Sequence, residues 1–324
     1  MAKTLESLLF GARRAAVVAH VSPDGDAIGS VLAMRMALEA RGVSAAALLP
    51  GKIGAEYGFL PKTDEIVYPC EDFSDDFDLV VCVDCADETR LGAFAFLLSK
   101  KDRPVVVIDH HVTNRGFGDE NLIEADSAAT GEVLTRLFQR LNVSITPEMA
   151  LCLYTAISTD TGGFAFSNTH EATLRAAADL VAFGADPALV YRRVYASRRI
   201  GKTRLIARAL QSMKTACEDQ VITGILTAKD FEECGADACD SEGIIDFLRD
   251  VDTCRVCALL RDTKDGSKAS LRCEDGYDVA AVAARFGGGG HKNAAGCSFD
   301  VPAEEAEAVL RKALCAIVSE KQNA

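Results

Sequence analysis

Pro104-Val-Val-Val-Ile-Asp-His-His-Val112 decides how the rest of the chain is read. Four β-branched residues, Val105 to Ile108, run directly into Asp109, His110 and His111. A short unbroken apolar run of this kind marks a strand buried on both faces, as in parallel sheets. Ligands of open α/β sheets bind at the carboxyl ends of the strands. Three side chains able to hold a metal or a proton therefore stand where function is expected. The pattern occurs twice more. Ala15-Ala-Val-Val-Ala-His20 leads into Ser22, Pro23, Asp24, Gly25 and Asp26, and Leu79-Val-Val-Cys-Val-Asp84 ends in a carboxylate. Three such strands in one sheet would bring their polar ends to a single edge.

Working outward, helical spacing is expected over 27–40, 128–141, 146–158 and 171–183, and weaker strands over 43–49 and 66–68. Thr146-Pro147 supplies an N-cap and a first helical residue, and Gly42 and Gly184 close two of the helices. Strands alternating with helices predict an α/β fold, a mostly parallel sheet with helices on both faces. This N-terminal domain is expected over 1–185. A linker helix over 186–205 carries Arg198, Arg199, Lys202 and Arg204, a charge run of the solvated type. A smaller C-terminal α/β domain over 206–324 is expected to hold strands at 221–226, 254–260 and 268–273. Its helices fall at 242–249, 279–286 and 303–318, and Gly287-Gly-Gly-Gly290 precedes His291.

The 324 residues suit two domains, and 49% hydrophobic with 26% charged residues describes a globular chain. A net charge of −13 argues against long duplex nucleic acid as partner, because phosphate neutralisation dominates such binding. It permits a small phosphorylated substrate held by metals and a few cations. Most of the 12 cysteines lie in apolar runs. Cys82/Cys85 and Cys254/Cys257 have C-x-x-C spacing, but no neighbouring His completes a zinc set, so they read as plain thiols. Arg13 and Arg14 interrupt any secretory segment, and no apolar run reaches the roughly 18 residues of a membrane span. Free thiols then place the protein in a reducing cytoplasm, with no membrane partner expected and a homodimer allowed.

The chain has five histidines. His170 fits a surface position at a helix start. His20, His110 and His111 instead converge with Asp24, Asp26, Asp84 and Asp109. Crowded carboxylates repel one another unless a cation neutralises them. An oxygen-rich set with a few imidazoles suits Mn²⁺, with Mg²⁺ or Fe²⁺ as substitutes, better than structural zinc. The donors outnumber what one ion would take, which calls for two. Two ions about 4 Å apart can activate a water and stabilise both oxygens of an in-line displacement. Asp160, in Ala156-Ile-Ser-Thr-Asp-Thr-Gly-Gly-Phe164, sits at a helix C-terminus, where the dipole disfavours an anion. A cation partner would resolve that conflict. Gly287–Gly290 is expected to bring backbone N–H groups close to a ligand, with Arg272 as a bidentate phosphate contact.

These motifs together resemble the DHH phosphoesterase superfamily. His20-Val-Ser-Pro-Asp-Gly-Asp-Ala-Ile-Gly29, Asp84, Asp109-His-His111 and Asp160-Thr-Gly162 match its four N-terminal motifs in order. Gly287-Gly-Gly-Gly-His-Lys-Asn-Ala-Ala-Gly296 matches the companion DHHA1 domain. The two-domain layout is most similar to the nanoRNase / pAp phosphatase branch. The resemblance implies one metal on His20, Asp24 and Asp84 and a second on Asp26, Asp84, His110 and Asp160, with Asp84 bridging. It implies that His111 faces the substrate phosphoryl group, that Asp109 supports it, and that Arg272, Gly288, Gly289, Gly290 and His291 hold the substrate. The activity implied is hydrolysis of short oligoribonucleotides to mononucleotides and of 3′-phosphoadenosine 5′-phosphate (pAp) to AMP. A phosphodiesterase for cyclic di-AMP or pApA fits the same motifs. A non-catalytic nucleotide-binding regulator would be expected to have lost ligands that this chain retains.

Overall fold

The computed structural model describes residues 5–70, 73–99 and 103–322. They form two units, Met1–Ser197 and Arg198–Ala324. Residues of the expected connection, 186–205, fall in both.

The first unit is built on a five-stranded, fully parallel sheet in the order β2-β1-β3-β4-β5. The strands are β1 (Arg14–Val18), β2 (Ser44–Leu48), β3 (Leu79–Val83), β4 (Val105–Asp109) and β5 (Glu120–Ile123). Every residue of β3 and β4 is buried, which is why both read as unbroken apolar runs. The order reverses at β1, whose neighbours are β2 on one side and β3 on the other. Such a switch point opens a crevice at the carboxyl ends of the two strands. His20 follows β1 and Asp84 follows β3 there.

The helices are α1 (Leu5–Gly11), α2 (Gly25–Ala40), α3 (Thr130–Arg140), α4 (Pro147–Asp160), α5 (Glu171–Ala182) and α6 (Pro187–Val190), the last running into a π-helical turn, Tyr191–Tyr195. Thr146 caps α4 through a bond from Met149 N, with Pro147 in its first turn. The helices α2, α3 and α4 enclose one face of the sheet around Ile28, Leu32, Val81, Ile108, Phe138 and Leu153. Close approach of α2 and α4 requires Gly29, where a Cβ would lie 2.4 Å from Cys152 O. The expectation of helices on both faces is met on the second face by 3₁₀ rather than α-helical structure. The opposite face, Val18, Val80, Cys82 and Val107, is covered by two short 3₁₀ turns within Glu88–Leu98, kinked at Gly92 (φ +54°), through Leu91, Phe94 and Leu97. The expected strand at 66–68 reduces to one bridge, Val67 to Leu48. The edge strand β5 was not expected, since its Glu-Asn start breaks the apolar pattern.

The second unit contains a six-stranded mixed sheet in the order β10-β11-β9-β8-β7-β6. Its elements are α7 (Ile200–Gln211), β6 (Lys214–Ala216), β7 (Val221–Leu226), α8 (Ala228–Cys234), α9 (Asp246–Arg249), β8 (Val256–Thr263), β9 (Gly266–Cys273), α10 (Val279–Ala284), β10 (Gly289–His291), β11 (Ala294–Phe299) and α11 (Ala303–Gln322). Only β7 and β8 run parallel. The stripe Ala306, Leu310, Ala313, Leu314 and Val318 of α11 packs on Ala258, Leu260, Ala269 and Leu271. Asn293 to Gly296 read as the continuation of a tightly approached loop, but Ala294–Phe299 is a strand whose small residues let β10 and β9 approach from either side. All 12 cysteines are free thiols. No helix among the described residues is long and apolar enough to cross a membrane.

Candidate metal centre

Each ligand candidate is delivered by a local feature of the first unit. Asp24 is the N-cap of α2, its Oδ1 accepting from Asp26 N (3.1 Å) and Ala27 N (3.0 Å). Asp26, in the first turn of α2, is wholly buried and points at the start of α3. There Thr130 N donates to its Oδ2 (2.6 Å), and Gly131 N (2.9 Å) and Ser30 Oγ (3.0 Å) donate to its Oδ1. Oδ1 is thus saturated by protein donors, and Oδ2 keeps a lone pair for an ion. Asp84 adopts φ +52° just past β3, a strained backbone for a residue with a Cβ. Such strain is held at sites where a side chain must be aimed. Asp160 is the last residue of α4. Beyond it, Gly162, Gly163 and Phe164 all take positive φ, +57°, +70° and +69°, and turn the chain away.

The two imidazoles are oriented in the same manner. His20 Nδ1 lies 2.7 Å from Val21 O, and His110 Nδ1 lies 3.2 Å from Ser127 O. Those bonds place the N–H on Nδ1 and leave Nε2 as the donor atom for an ion. His20 Nε2 is 3.3 Å from Asp84 Oδ2 and 3.8 Å from Asp24 Oδ1. His110 Nε2 is 3.2 Å from Asp160 Oδ2, 3.6 Å from Asp84 Oδ1 and 3.8 Å from Asp26 Oδ2. The two oxygens of Asp84 therefore face two different groups of donors. His20, Asp24 and Asp84 form one, with ligand atoms within 4.8 Å of one another, and Asp26, His110 and Asp160 form another.

His111 Nδ1 donates to Asp109 Oδ1 at 2.8 Å, and Asn114 Nδ2 donates to Asp109 Oδ2 at 2.6 Å and to Cys85 O at 3.0 Å. Burial favours the neutral Asp109 acid, but the bonds from His111 and Asn114 outweigh it and hold the carboxyl below its usual value. The same bond raises His111. His111 Nδ1 is also 3.7 Å from Asp84 Oδ1, but that nitrogen is already committed to Asp109.

The electrostatics call for cations. Burial, then the charges of Asp84 and Asp160, push Asp26 well above the usual carboxylate value. Burial and the charges of Asp84 and Asp24 push Asp160 up to about 7. Among the described residues no Lys or Arg pairs with Asp24, Asp26, Asp84 or Asp160. The donor set, two imidazoles and four carboxylates, fits divalent cations. A further group, Asp237, Cys239 and Asp240, does not share this need. Arg199 Nη1 neutralises it, 2.8 Å from Asp237 and 3.0 Å from Asp240.

Thr130, Asn114 and Ser30 went unread in the sequence. Thr130 joins the carboxylates, its N–H on Asp26 and its hydroxyl 3.1 Å from Asp84 Oδ1. Asn114 alone left a trace, an Asn two residues before Gly116, whose N–H its Oδ1 accepts (2.8 Å) in an Asx turn.

In the second unit the glycine run behaves differently from expectation. Gly287 N and Gly288 N donate to Ala284 O and Ala283 O, closing α10, so neither N–H awaits a ligand. A Cβ at Gly288 would lie 2.1 Å from Gly296 O, so close packing accounts for that glycine. Gly289, Gly290 and His291 are exposed on the edge strand β10. Arg272 lies on β9 and, with Arg261, Ser270 and Glu242, lines a pocket of about 430 Å³. Neither arginine has an ion-pair partner among the described residues.

Residues 14–157 match the N-terminal domain of the DHH family, and residues 218–320 match the DHHA1 domain. A Thermus thermophilus protein named bifunctional oligoribonuclease and PAP phosphatase NrnA is 34% identical over 284 residues, 87% of this chain and 83% of that protein. The chain belongs to the DHH family. A Bacillus subtilis DHH-family relative of the same name is 22% identical over 86% of this chain and 87% of its own. An exopolyphosphatase-related protein from Bacteroides fragilis superposes with a TM-score of 0.84 at 28% identity, covering 94% of this chain and 93% of that one. Thermus thermophilus RecJ in complex with Mn²⁺ gives a TM-score of 0.50 at 15% identity, 98% of this chain against 53% of RecJ, and shows the shared fold. Within this family frame, His20, Asp24, Asp26, Asp84, His110 and His111 lie in the DHH match, and Arg272 and the glycines lie in the DHHA1 match.

Proposed function

We propose that the chain is a divalent-metal-dependent phosphoesterase that hydrolyses short oligoribonucleotides to mononucleotides and pAp to AMP. The observation that carries the reading is the division of Asp84, one oxygen toward His20 and the other toward His110. One ion is assigned to His20, Asp24 and Asp84, and a second to Asp26, Asp84, His110 and Asp160, with Mn²⁺ the preferred metal. Bound there, the pair would neutralise the carboxylates, activate the attacking water and polarise the phosphoryl oxygens.

The remaining work falls to side chains of the protein. Thr130 and Ser30 fix Asp26 and Asp84, so little reorganisation accompanies the reaction. Asn114 holds Asp109, and Asp109 holds the His111 Nδ1–H. That fixes the ring and leaves Nε2 for the substrate, where a protonated imidazole donates to a phosphoryl oxygen as charge builds. The raised His111 favours that protonated form. Arg272, with Arg261 in the same pocket, supplies guanidinium contacts to a substrate phosphate. Gly289, Gly290 and His291 form the exposed edge strand of the same sheet, and Gly288 is assigned to packing instead. The names of the Thermus and Bacillus relatives support the substrate class.

Asp84→Ala should abolish hydrolysis of both a diribonucleotide and pAp at saturating Mn²⁺, and near-normal turnover would sink the two-ion reading. Ranking wild-type rates on a diribonucleotide, pAp, cyclic di-AMP and long RNA tests the substrate. A preference for the cyclic dinucleotide would replace the assignment, and a preference for long RNA would remove the short-substrate limit.

A further inference from the structure

The three buried or half-buried carboxylates around His110 are not braced alike. Asp26 receives three protein hydrogen bonds, and Asp84 receives one from Thr130. Asp160 faces the ligand atom His110 Nε2 at 3.2 Å, and no protein N–H or O–H donates to its carboxylate among the described residues. Its side chain is 25% exposed, against 0% for Asp26 and 2% for Asp84. It also sits at the C-terminal end of α4, where the helix dipole opposes its charge. Whatever aims this carboxylate must act through its backbone.

Two side chains hold that backbone. Asn168 Nδ2 donates to Asp160 O at 3.1 Å. Tyr195 reaches back from the π-helical turn Tyr191–Tyr195, and its hydroxyl donates to Ser158 O at 2.7 Å. The same carbonyl accepts from Gly163 N at 2.7 Å. Ser158 O is thereby held by two donors, one from each side of the turn that contains Asp160. The Tyr195 ring closes over Gly163, where a Cβ would lie 3.7 Å from its Cζ. A π-helical turn is rare, and such turns occur often at functional sites. Here the wider turn brings the tyrosine to the end of α4. Burial raises the Tyr195 phenol, so it remains a protonated donor at neutral pH.

We infer that Tyr195 is a positioning residue for the ion at His110: its hydroxyl fixes the last turn of α4 so that Asp160 is presented to that ion. The inference rests on the assignment of Asp160 as a ligand. It makes Tyr195 specific to one ion, because His20 and Asp24 lie on other elements.

The test is Mn²⁺ binding to the full chain without substrate, followed by calorimetry and by electron paramagnetic resonance of the ion pair. Three proteins are compared, the wild type, Tyr195→Phe and Asp160→Ala. The phenylalanine keeps the ring and removes only the hydroxyl. Tyr195→Phe should weaken one of the two ions by about tenfold, the scale of losing an outer partner of a ligand, and leave the other unchanged. Excess Mn²⁺ should then restore kcat. Two ions bound with wild-type affinity in Tyr195→Phe would overturn the inference, as would equal weakening of both ions, which marks a general loss of structure. Asp160→Ala separates the two ideas. If it still binds both ions as the wild type does, the ligand assignment itself is wrong.

Discussion

Glu307 in the second unit and Asp26 in the first are both carboxylates with no exposed surface, and they are treated in opposite ways. Glu307 accepts from Thr223 Oγ1 (2.7 Å), Lys214 Nζ (3.0 Å) and Arg311 Nε (2.8 Å). Burial works to raise it, but those three donors win and hold it below the usual glutamate value. Asp26 also has three donors, but all are neutral, and its charged neighbours are Asp84, Asp160 and Asp24. It is pushed well above its usual value. A buried ion without a counter-ion is strongly unfavourable. Glu307 is neutralised within the fold, whereas among the described residues no Lys or Arg pairs with the Asp26 cluster, as its proposed ligand role requires. That contrast separates a structural carboxylate from a ligand more sharply than residue type does.

The largest effect that could break the contrast lies at the neighbouring histidines. His111→Ala should retain both ions and lose about 10²–10³-fold in kcat, the scale of removing one donor to a developing oxyanion. His110→Ala should lose an ion as well as activity. Measuring Mn²⁺ content beside turnover checks both, and loss of an ion from His111→Ala would make it a ligand rather than a substrate contact.

The contrast also predicts opposite pH dependence in the two units. Asp160 rises from 3.8 to about 7 on folding, and Asp26 shifts the same way. The contribution of these two groups to the metal-free first unit should therefore fall as pH climbs from the unfolded carboxylate value toward 7, opposite in sign to that of the depressed Asp109, and Mn²⁺ should remove that loss. Glu307 is depressed, so its contribution is present above its unfolded value of 4.5 and disappears as pH falls through the lower folded value. Hydrogen exchange resolved by unit, with and without Mn²⁺, reads both signs. A pH dependence at the ends of α2 and α4 that Mn²⁺ leaves unchanged would contradict the account.

Unpaired charge of the other sign marks the second unit's pocket. Arg272→Ala should raise KM by about 10- to 100-fold, the scale of losing a hydrogen bond to a charged group, with kcat little changed. A fall in kcat at unchanged KM would place Arg272 elsewhere in the reaction. Smaller effects should divide the glycines. Gly288→Ala forces a Cβ to 2.1 Å from Gly296 O and should destabilise the unit by about 1–3 kcal/mol through overpacking. Gly289 has nothing within 4 Å of its Cβ position, so Gly289→Ala should change stability by no more than about 0.5 kcal/mol. Thermal melting of the two variants distinguishes them.

What was legible in the sequence follows the same physics. The strands β1, β3 and β4 are buried on both faces, so their apolar runs announce them, and parallel pairing brings His20, Asp84 and Asp109 to one edge. The edge strand β5 and the strand β11 are short of such residues. Glu88–Leu98 has no 3.6-residue period because it is made of short 3₁₀ turns kinked at Gly92. His and Asp at strand ends carry a chemical signal of their own. Thr130, Ser30 and Asn114 act only through hydrogen bonds to those residues, so nothing in their type reveals them before the fold brings α3 against Asp26. Two of the four glycines, Gly287 and Gly288, depart from the expectation for the converse reason. A run that suggests free N–H groups is used in part to end α10 and to pack β10 on β11.

The central claim is that Asp84 is shared between two ions. Crystallographic anomalous scattering at the manganese edge, on Mn²⁺-soaked wild type and Asp84→Ala, tests it most directly. Two peaks flanking Asp84 in the wild type, and neither at full occupancy in Asp84→Ala, are expected. A single peak in the wild type, or two undiminished peaks without the Asp84 carboxylate, would contradict it.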